Sequence, residues 1–146
     1  MGAAIQQLAS MPDDKFKTPP DLGGVHVLLV DNNPDALEVM QAVINYAGSL
    51  VTVASSAREA LRTLAHIRPD VIVSDIAMPG EDGYWLIRQV RSLAYTSDIP
   101  AIAVTVYASP ADRQRAFDEG FQAHLPKPVD PWELCQAIVV LTRYRM

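Results

Sequence analysis

Val71 to Gly83 reads V-I-V-S-D-I-A-M-P-G-E-D-G, and the fold turns on it. Its first part, Val71 to Val73, is a short apolar, β-rich run. A run that is apolar on both faces suits a strand covered on two sides, as in a parallel sheet between helix layers. Asp75 then falls at the strand end, and Met78-Pro79-Gly80 behind it reads as a loop shaping a site rather than a plain turn. An amphipathic stripe of Leu86, Val90 and Leu93 follows, so the unit is strand, loop, helix.

The same alternation runs outward in both directions. Val25 to Val30 is apolar apart from His26, and Ala101 to Val104 is similar. Leu50 to Val53 and Ala123 to Leu125 are shorter strand candidates. Leu37, Met40, Ile44 and Ala47 line one helical stripe, Leu61, Leu64 and Ala65 another, and Leu134, Ile138 and Leu141 a further one. Asn33-Pro34, Ser109-Pro110 and Asp130-Pro131 each set a side-chain acceptor before a proline, the signature of a helix start. Ser56 with Glu59 and Asp130 with Glu133 have capping-box spacing. Gly48, Pro69 and Gly120 are read as ending three helices. Five strands alternating with five helices, in units of roughly 20–25 residues, force parallel strands and right-handed crossovers. The expected fold is a doubly wound α/β sandwich, with its chemistry beyond the carboxyl ends of the strands, just after Val30, Ser74, Val104 and Leu125.

Composition narrows the function. The chain has 146 residues, 49% hydrophobic and 20% charged, which suits one globular domain. A net charge of −5 argues against nonspecific nucleic-acid binding. A single cysteine, Cys135, excludes an internal disulfide and a Cys-based zinc cage, and fits a reducing cytoplasm. No stretch has the length of a membrane span, and the start lacks the basic front and apolar centre of a signal peptide. Residues 1–23 are read as a flexible extension, with a short helix around Ile5 and Leu8 as the alternative for its first part. Residues 24–146 are read as the domain.

The strand ends carry complementary chemistry. Asp31 follows the first strand, Asp75 ends the third, Thr105 ends the fourth and Lys127 ends the fifth. Any one of these alone reads as a cap or turn; four on one rim read as a site. Two adjacent carboxylates repel unless a cation lies between them, and a hard dication such as Mg²⁺ prefers oxygen ligands. Asp75 is then a carboxylate nucleophile toward a phosphoryl donor, with Mg²⁺, the Lys127 ammonium and the Thr105 hydroxyl stabilising the transferring oxygens.

Four segments carry a resemblance. Val27 to Asp35 (V-L-L-V-D-N-N-P-D), Val71 to Gly83, Ala101 to Ala108 (A-I-A-V-T-V-Y-A) and Gly120 to Pro128 (G-F-Q-A-H-L-P-K-P) resemble response-regulator receiver domains, in order and spacing, from about Gly24 to Leu141. The resemblance implies a flavodoxin-like fold with strand order 2-1-3-4-5. It implies Asp75 as phospho-acceptor, Asp31, Asn32, Asp75 and the Ala77 backbone carbonyl as Mg²⁺ ligands, and Thr105 and Lys127 as phosphoryl-binding groups. Thr105 and His124 become the switch pair, and the Lys127–Pro128 peptide is expected cis. A sensor histidine kinase or phosphotransfer protein is the implied donor and a downstream protein the implied partner, with a homodimer as a further option. The reading is of a signalling module and not an enzyme, whose only chemistry is its own phosphorylation and hydrolysis.

Two positions depart from the pattern. Asn32 stands where the family usually has a second acid, so metal affinity is expected to fall. Val106 follows Thr105 where a small residue is usual, and is expected to narrow access to the acceptor. A phosphate-independent interaction module is the first rival reading. A haloacid-dehalogenase-like phosphatase lacks its second aspartate here, since Asn33 and Ala77 stand two places after Asp31 and Asp75. A flavin or dinucleotide site lacks a glycine-rich loop after the first strand. The polar helix from Ala111 to Glu119 is read as a solvated face flanking a partner surface. Trp85 is expected near the site, Trp132 is either core or an exposed anchor, and His26 and His66 are structural or exposed. The chain is read as either a stand-alone receiver or one cut from a longer protein, and its flanking segments look most like receivers attached to hybrid histidine kinases.

Overall fold

The computed structural model describes residues 20–143. Within them, five strands alternate with five helices: β1 His26–Val30, α1 Pro34–Tyr46, β2 Leu50–Ala54, α2 Ala57–Leu64, β3 Val71–Ser74, α3 Gly83–Ser92, β4 Ala101–Thr105, α4 Pro110–Glu119, β5 Ala123–Pro126 and α5 Pro131–Arg143. The strands form one parallel sheet in the order β2-β1-β3-β4-β5, so the fold is flavodoxin-like and doubly wound, as expected. The central strands β3 and β4 are buried along their whole length, which is why their sequences are continuously apolar rather than alternating.

The sheet separates two cores. On one face Leu29, Val43, Ile44, Val73, Trp132, Leu134 and Ile138 pack between the sheet and α1 with α5. On the other, Leu28, Leu64, Ile72, Leu86, Ile87, Ile99 and Phe121 pack beneath α2, α3 and α4. Each fully buried Leu or Ile contributes about 1.5–3 kcal/mol of burial free energy. Trp132 therefore belongs to the core. Cys135 is buried there too, and burial pushes its thiol up to about 12, so it is an inert packing residue.

Helix starts follow the sequence closely. Asn33 Oδ1 accepts from the Asp35 and Ala36 N–H groups, ahead of Pro34. Ser109 and Asp112 close a full capping box. Asp130 Oδ1 accepts from Trp132 and Glu133. Ser56 accepts from the Glu59 N–H, but the box is only half formed, because Glu59 Oε2 takes the Ser55 hydroxyl instead. Pro69 does not end α2: the helix stops at Leu64, capped by Ala65, and Ala65 is exposed, outside the buried stripe. Gly120, at φ 127°, caps α4 in a backbone region that side chains rarely adopt.

Residues 1–19, with Ile5 and Leu8, lie outside the described residues. Leu22 is fully buried and its N–H donates to the Ala47 carbonyl at 2.8 Å, so packing begins ahead of β1. Among the described residues no helix is long and apolar enough to cross a membrane.

Candidate functional site

Strand register brings the predicted residues together. Val30 pairs with Ser74, so Asp31 and Asp75, each one residue further on, sit side by side. Thr105 pairs with Pro126, which sets Lys127 immediately beyond it, and the Lys127 N–H donates to the Thr105 carbonyl at 2.9 Å. The Lys127–Pro128 peptide is cis.

One ammonium serves two carboxylates. Lys127 Nζ donates to Asp31 Oδ2 at 2.8 Å and to Asp75 Oδ2 at 3.2 Å. Asp31 Oδ1 also accepts the Asn33 N–H at 2.9 Å, and Asp75 Oδ1 the Ala77 N–H at 3.3 Å. Both carboxylates are buried. With Lys127 protonated and both acids ionised, the cluster carries one excess negative charge. Burial, and then the Asp31 carboxylate, push the Asp75 carboxyl above the usual range, although the Lys127 ammonium pulls it down. Burial opposes the charge on Lys127, but the hydrogen bond it donates to Asp31 and the two anions outweigh it and hold its ammonium above the ordinary value.

The loop after Asp75 is fixed from behind. A side chain at Gly83 would bring a Cβ within 2.4 Å of the Asp75 carbonyl oxygen and 2.7 Å of the Ile76 Cα. Only glycine lets the start of α3 rest on the acceptor backbone, which is the physical reason for the D-G step in the motif. Asp82 then caps α3 by accepting the Trp85 N–H at 2.8 Å.

The switch candidates are linked through Tyr107. Thr105, fully buried, accepts the Tyr107 N–H on its hydroxyl oxygen at 3.1 Å. His124 is buried, and its Nε2 lies 2.8 Å from the Tyr107 carbonyl oxygen. Both sides of one exposed loop residue are thus held by these two side chains.

Donor atoms able to hold a hard cation are all oxygens: the carboxylates of Asp31 and Asp75, the Ala77 carbonyl and the Asn32 amide. Asn32 is exposed at the rim. Among the described residues, no group of three or more His, Cys, Asp or Glu side chains converges, so the set holds two acids and not three. It fits a hydrated Mg²⁺ more readily than an ion needing a full protein cage.

Trp85 stands elsewhere than the sequence suggested, while His26 and His66 are structural and exposed as read. Trp85 does not line the acceptor: it sits between α2 and α3, with the Arg58 guanidinium 5.3 Å from its ring. Val106 is 63% exposed and lines a groove with Ala36, Val39, Met40, Lys127 and Val129. His26 Nε2 meets the Thr52 hydroxyl at 2.7 Å, and His66 is exposed. On the other side of the site lies a second groove of about 630 Å³, lined by Met78, Pro79, Tyr84, Tyr107 and Arg115 among others. Sequence reasoning missed Tyr84, Tyr107 and Arg115, since no periodicity or motif marks a residue that gains its neighbours only by tertiary packing.

A doubly wound sheet whose carboxyl rim joins two acids, a hydroxyl and a lysine defines a narrow class of α/β protein. The profile of the Response regulator receiver domain family matches residues 27–139, and the chain belongs to that family. It is 44% identical over 117 residues to a protein of Leptolyngbya boryana described as an uncharacterised 14.6 kDa protein in the sodA1 3′ region, covering 80% of this chain and 89% of that one. It is 37% identical over 116 residues to the response regulator Rre1 of Synechocystis, covering 79% of this chain and 50% of that one. The chain thus spans about half the length of that regulator. The receiver domain of the Francisella response regulator 1452 superposes with a TM-score of 0.79 at 25% identity, over 84% of this chain and 100% of that one.

Proposed function

We propose that the chain is a phospho-accepting module whose Asp75 takes a phosphoryl group from a phosphohistidine of a sensor kinase or phosphotransfer protein. The observation that carries this reading is the convergence of Asp31 and Asp75 on Lys127 at the strand ends. An Asp75 oxygen attacks phosphorus, the P–N bond breaks, its electron pair stays on the donor imidazole, and an acyl phosphate forms. Mg²⁺, held by Asp31, Asp75, the Ala77 carbonyl and Asn32, would neutralise the phosphoryl oxygens. Lys127, already bonded to Asp75, keeps a cation beside the new group after the carboxylate has lost its charge. Thr105 accepts the Tyr107 N–H, which leaves its own hydroxyl hydrogen to donate to a phosphoryl oxygen. Moving toward that oxygen, it draws on Tyr107, whose carbonyl contacts His124. The change at Asp75 so reaches β5 and a downstream protein partner.

The groove of Val39, Met40, Val106, Pro128 and Val129 reaches Lys127 and is apolar enough to seat a donor helix. On this reading the module works in the cytoplasm, where the phosphate donors are made, and acts on no substrate but itself. Intact mass after incubation with acetyl phosphate and Mg²⁺ tests it. One phosphoryl group is expected on the wild type and none on Asp75→Asn; a gain that persists in Asp75→Asn refutes the assignment.

A further inference from the structure

Helix α4 is held differently from its neighbours. It buries one residue, Ala116, whereas α1 buries four, α2 three, and α3 and α5 five each. Arg113 reaches the His124 carbonyl on β5 at 3.5 Å, and three arginines line the seam between α3 and α4. The Arg115 guanidinium lies 4.1 Å from the centroid of the Tyr84 ring. Arg88 bonds Glu119 at 2.7 Å, and Arg115 Nε lies 3.8 Å from the same carboxylate oxygen. Arg91 donates to the Gly120 carbonyl, from Nε at 3.0 Å and Nη2 at 2.8 Å. Arg88 and Arg91 grip the last turn of α4 and its cap. Arg115 alone reaches the start of α3.

Its partner Tyr84 is buried and directly follows Gly83, whose backbone is pressed against Asp75 and Ile76. A displacement of the acceptor loop therefore moves the Tyr84 ring, and the ring is the seat of Arg115. Asp82, which caps α3, and Asp112 of α4 line the same groove as Arg115. A cation over a π-face is directional, and shifting the ring weakens it. A helix with so little apolar burial responds to the loss of a single contact more than a well-buried one does.

We propose that Arg115, seated on Tyr84, is the positioning residue that ties α4 to the acceptor loop, so that a phosphoryl group on Asp75 is felt by α4 through this contact. The coupling half of the proposal rests on the phospho-acceptor reading; the contact itself does not.

Hydrogen exchange on the whole chain separates the two. The proteins are wild type, Arg115→Gln, Tyr84→Leu, the double variant and Tyr84→Phe, each with and without Mg²⁺ and beryllium fluoride, and phosphorylation is followed by intact mass. Without the mimic, Arg115→Gln and Tyr84→Leu should each speed exchange in α4 by about three- to tenfold. The double variant should go no further, because both remove one contact. Tyr84→Phe, which keeps the π-face, should match wild type, and α1 and α5 should not change in any variant. With the mimic, α4 protection should change in wild type and change much less in Arg115→Gln, while in separate samples without the mimic acetyl phosphate and Mg²⁺ should add one phosphoryl group to both. Additive effects, unaltered α4 exchange, or an equal response in Arg115→Gln overturns the proposal. A wild type that gains no mass at Asp75 overturns the phospho-acceptor reading and the coupling with it. That result is told apart from a failed clasp by the α4 exchange measured without the mimic.

Discussion

Replacing Lys127 by methionine removes the ammonium between two buried carboxylates while keeping most of the stem's volume. Nζ lies 2.8 Å from Asp31 and 3.2 Å from Asp75. At an effective dielectric of about 20, each separation corresponds to about 5–6 kcal/mol of gross attraction. Desolvation of the lysine cancels much of this, and removing one member of a buried pair costs about 3–5 kcal/mol. That is the loss expected near neutral pH without metal, and in a domain of this size it lowers Tm by about 10–15 °C. The dependence on pH has a definite sign. Asp75 already titrates above the usual carboxylate range, because burial and Asp31 oppose its charge. A raised acid pKa means stability is lost as pH rises from the unfolded value through the folded one. Lys127 is the group pulling Asp75 down, so its removal widens that window upward. The gap between variant and wild type should therefore shrink as pH falls and Asp75 takes up its proton. Urea denaturation at several pH values, with and without millimolar Mg²⁺, measures it, and Mg²⁺ should restore part of the loss at neutral pH. A gap independent of pH would refute the electrostatic reasoning and point to packing of the methionine instead.

Three further outcomes follow from the geometry. Asn32→Asp adds a third acid to the oxygen set, and calorimetric titration should show Mg²⁺ binding roughly tenfold tighter, about 1.4 kcal/mol; equal affinity would mean that the amide serves as well as a carboxylate. Val106→Ala should leave stability within about 0.5 kcal/mol, since the side chain is 63% exposed. It should also slow transfer from a phosphotransfer protein more than phosphorylation by acetyl phosphate, and stopped-flow quench kinetics with both donors would expose the opposite ordering. Thr105→Ala should still accept phosphate at Asp75, while the His124 ring resonances lose most of their response to beryllium fluoride; an unchanged response would break the proposed link through Tyr107.

Much of this was legible in the sequence because it is local. Asn33, Ser109 and Asp130 announce their helices by chemistry that acts within three residues. The central strands show their burial in continuous apolar runs, and Asp31, Asp75, Thr105 and Lys127 are brought together by strand ends alone. What the sequence hid depends on which side of an element faces which neighbour. Trp85 is close to Asp75 along the chain, yet its ring packs against α2 under Arg58. Pro69 looked like a helix stop, but α2 had already ended at Leu64, with Ala65 turned to solvent. Arg115 read as one charge on a solvated helix, and its seat on Tyr84 exists only because α3 and α4 are adjacent.

The sheet keeps its two cores apart, and this has a consequence for how such a molecule can be altered. The groove of Val39, Val106 and Val129 rests on the α1 and α5 side, while Tyr84, Arg115 and the underside of α4 belong to the other. On the phospho-acceptor reading, most substitutions in the groove proposed to seat a donor thus lie on one side of the sheet, and those at the Arg115–Tyr84 contact on the other. On that reading, input and answer can be altered as two largely separate traits that meet at the rim of Asp75 and in the loop from Thr105 to Tyr107.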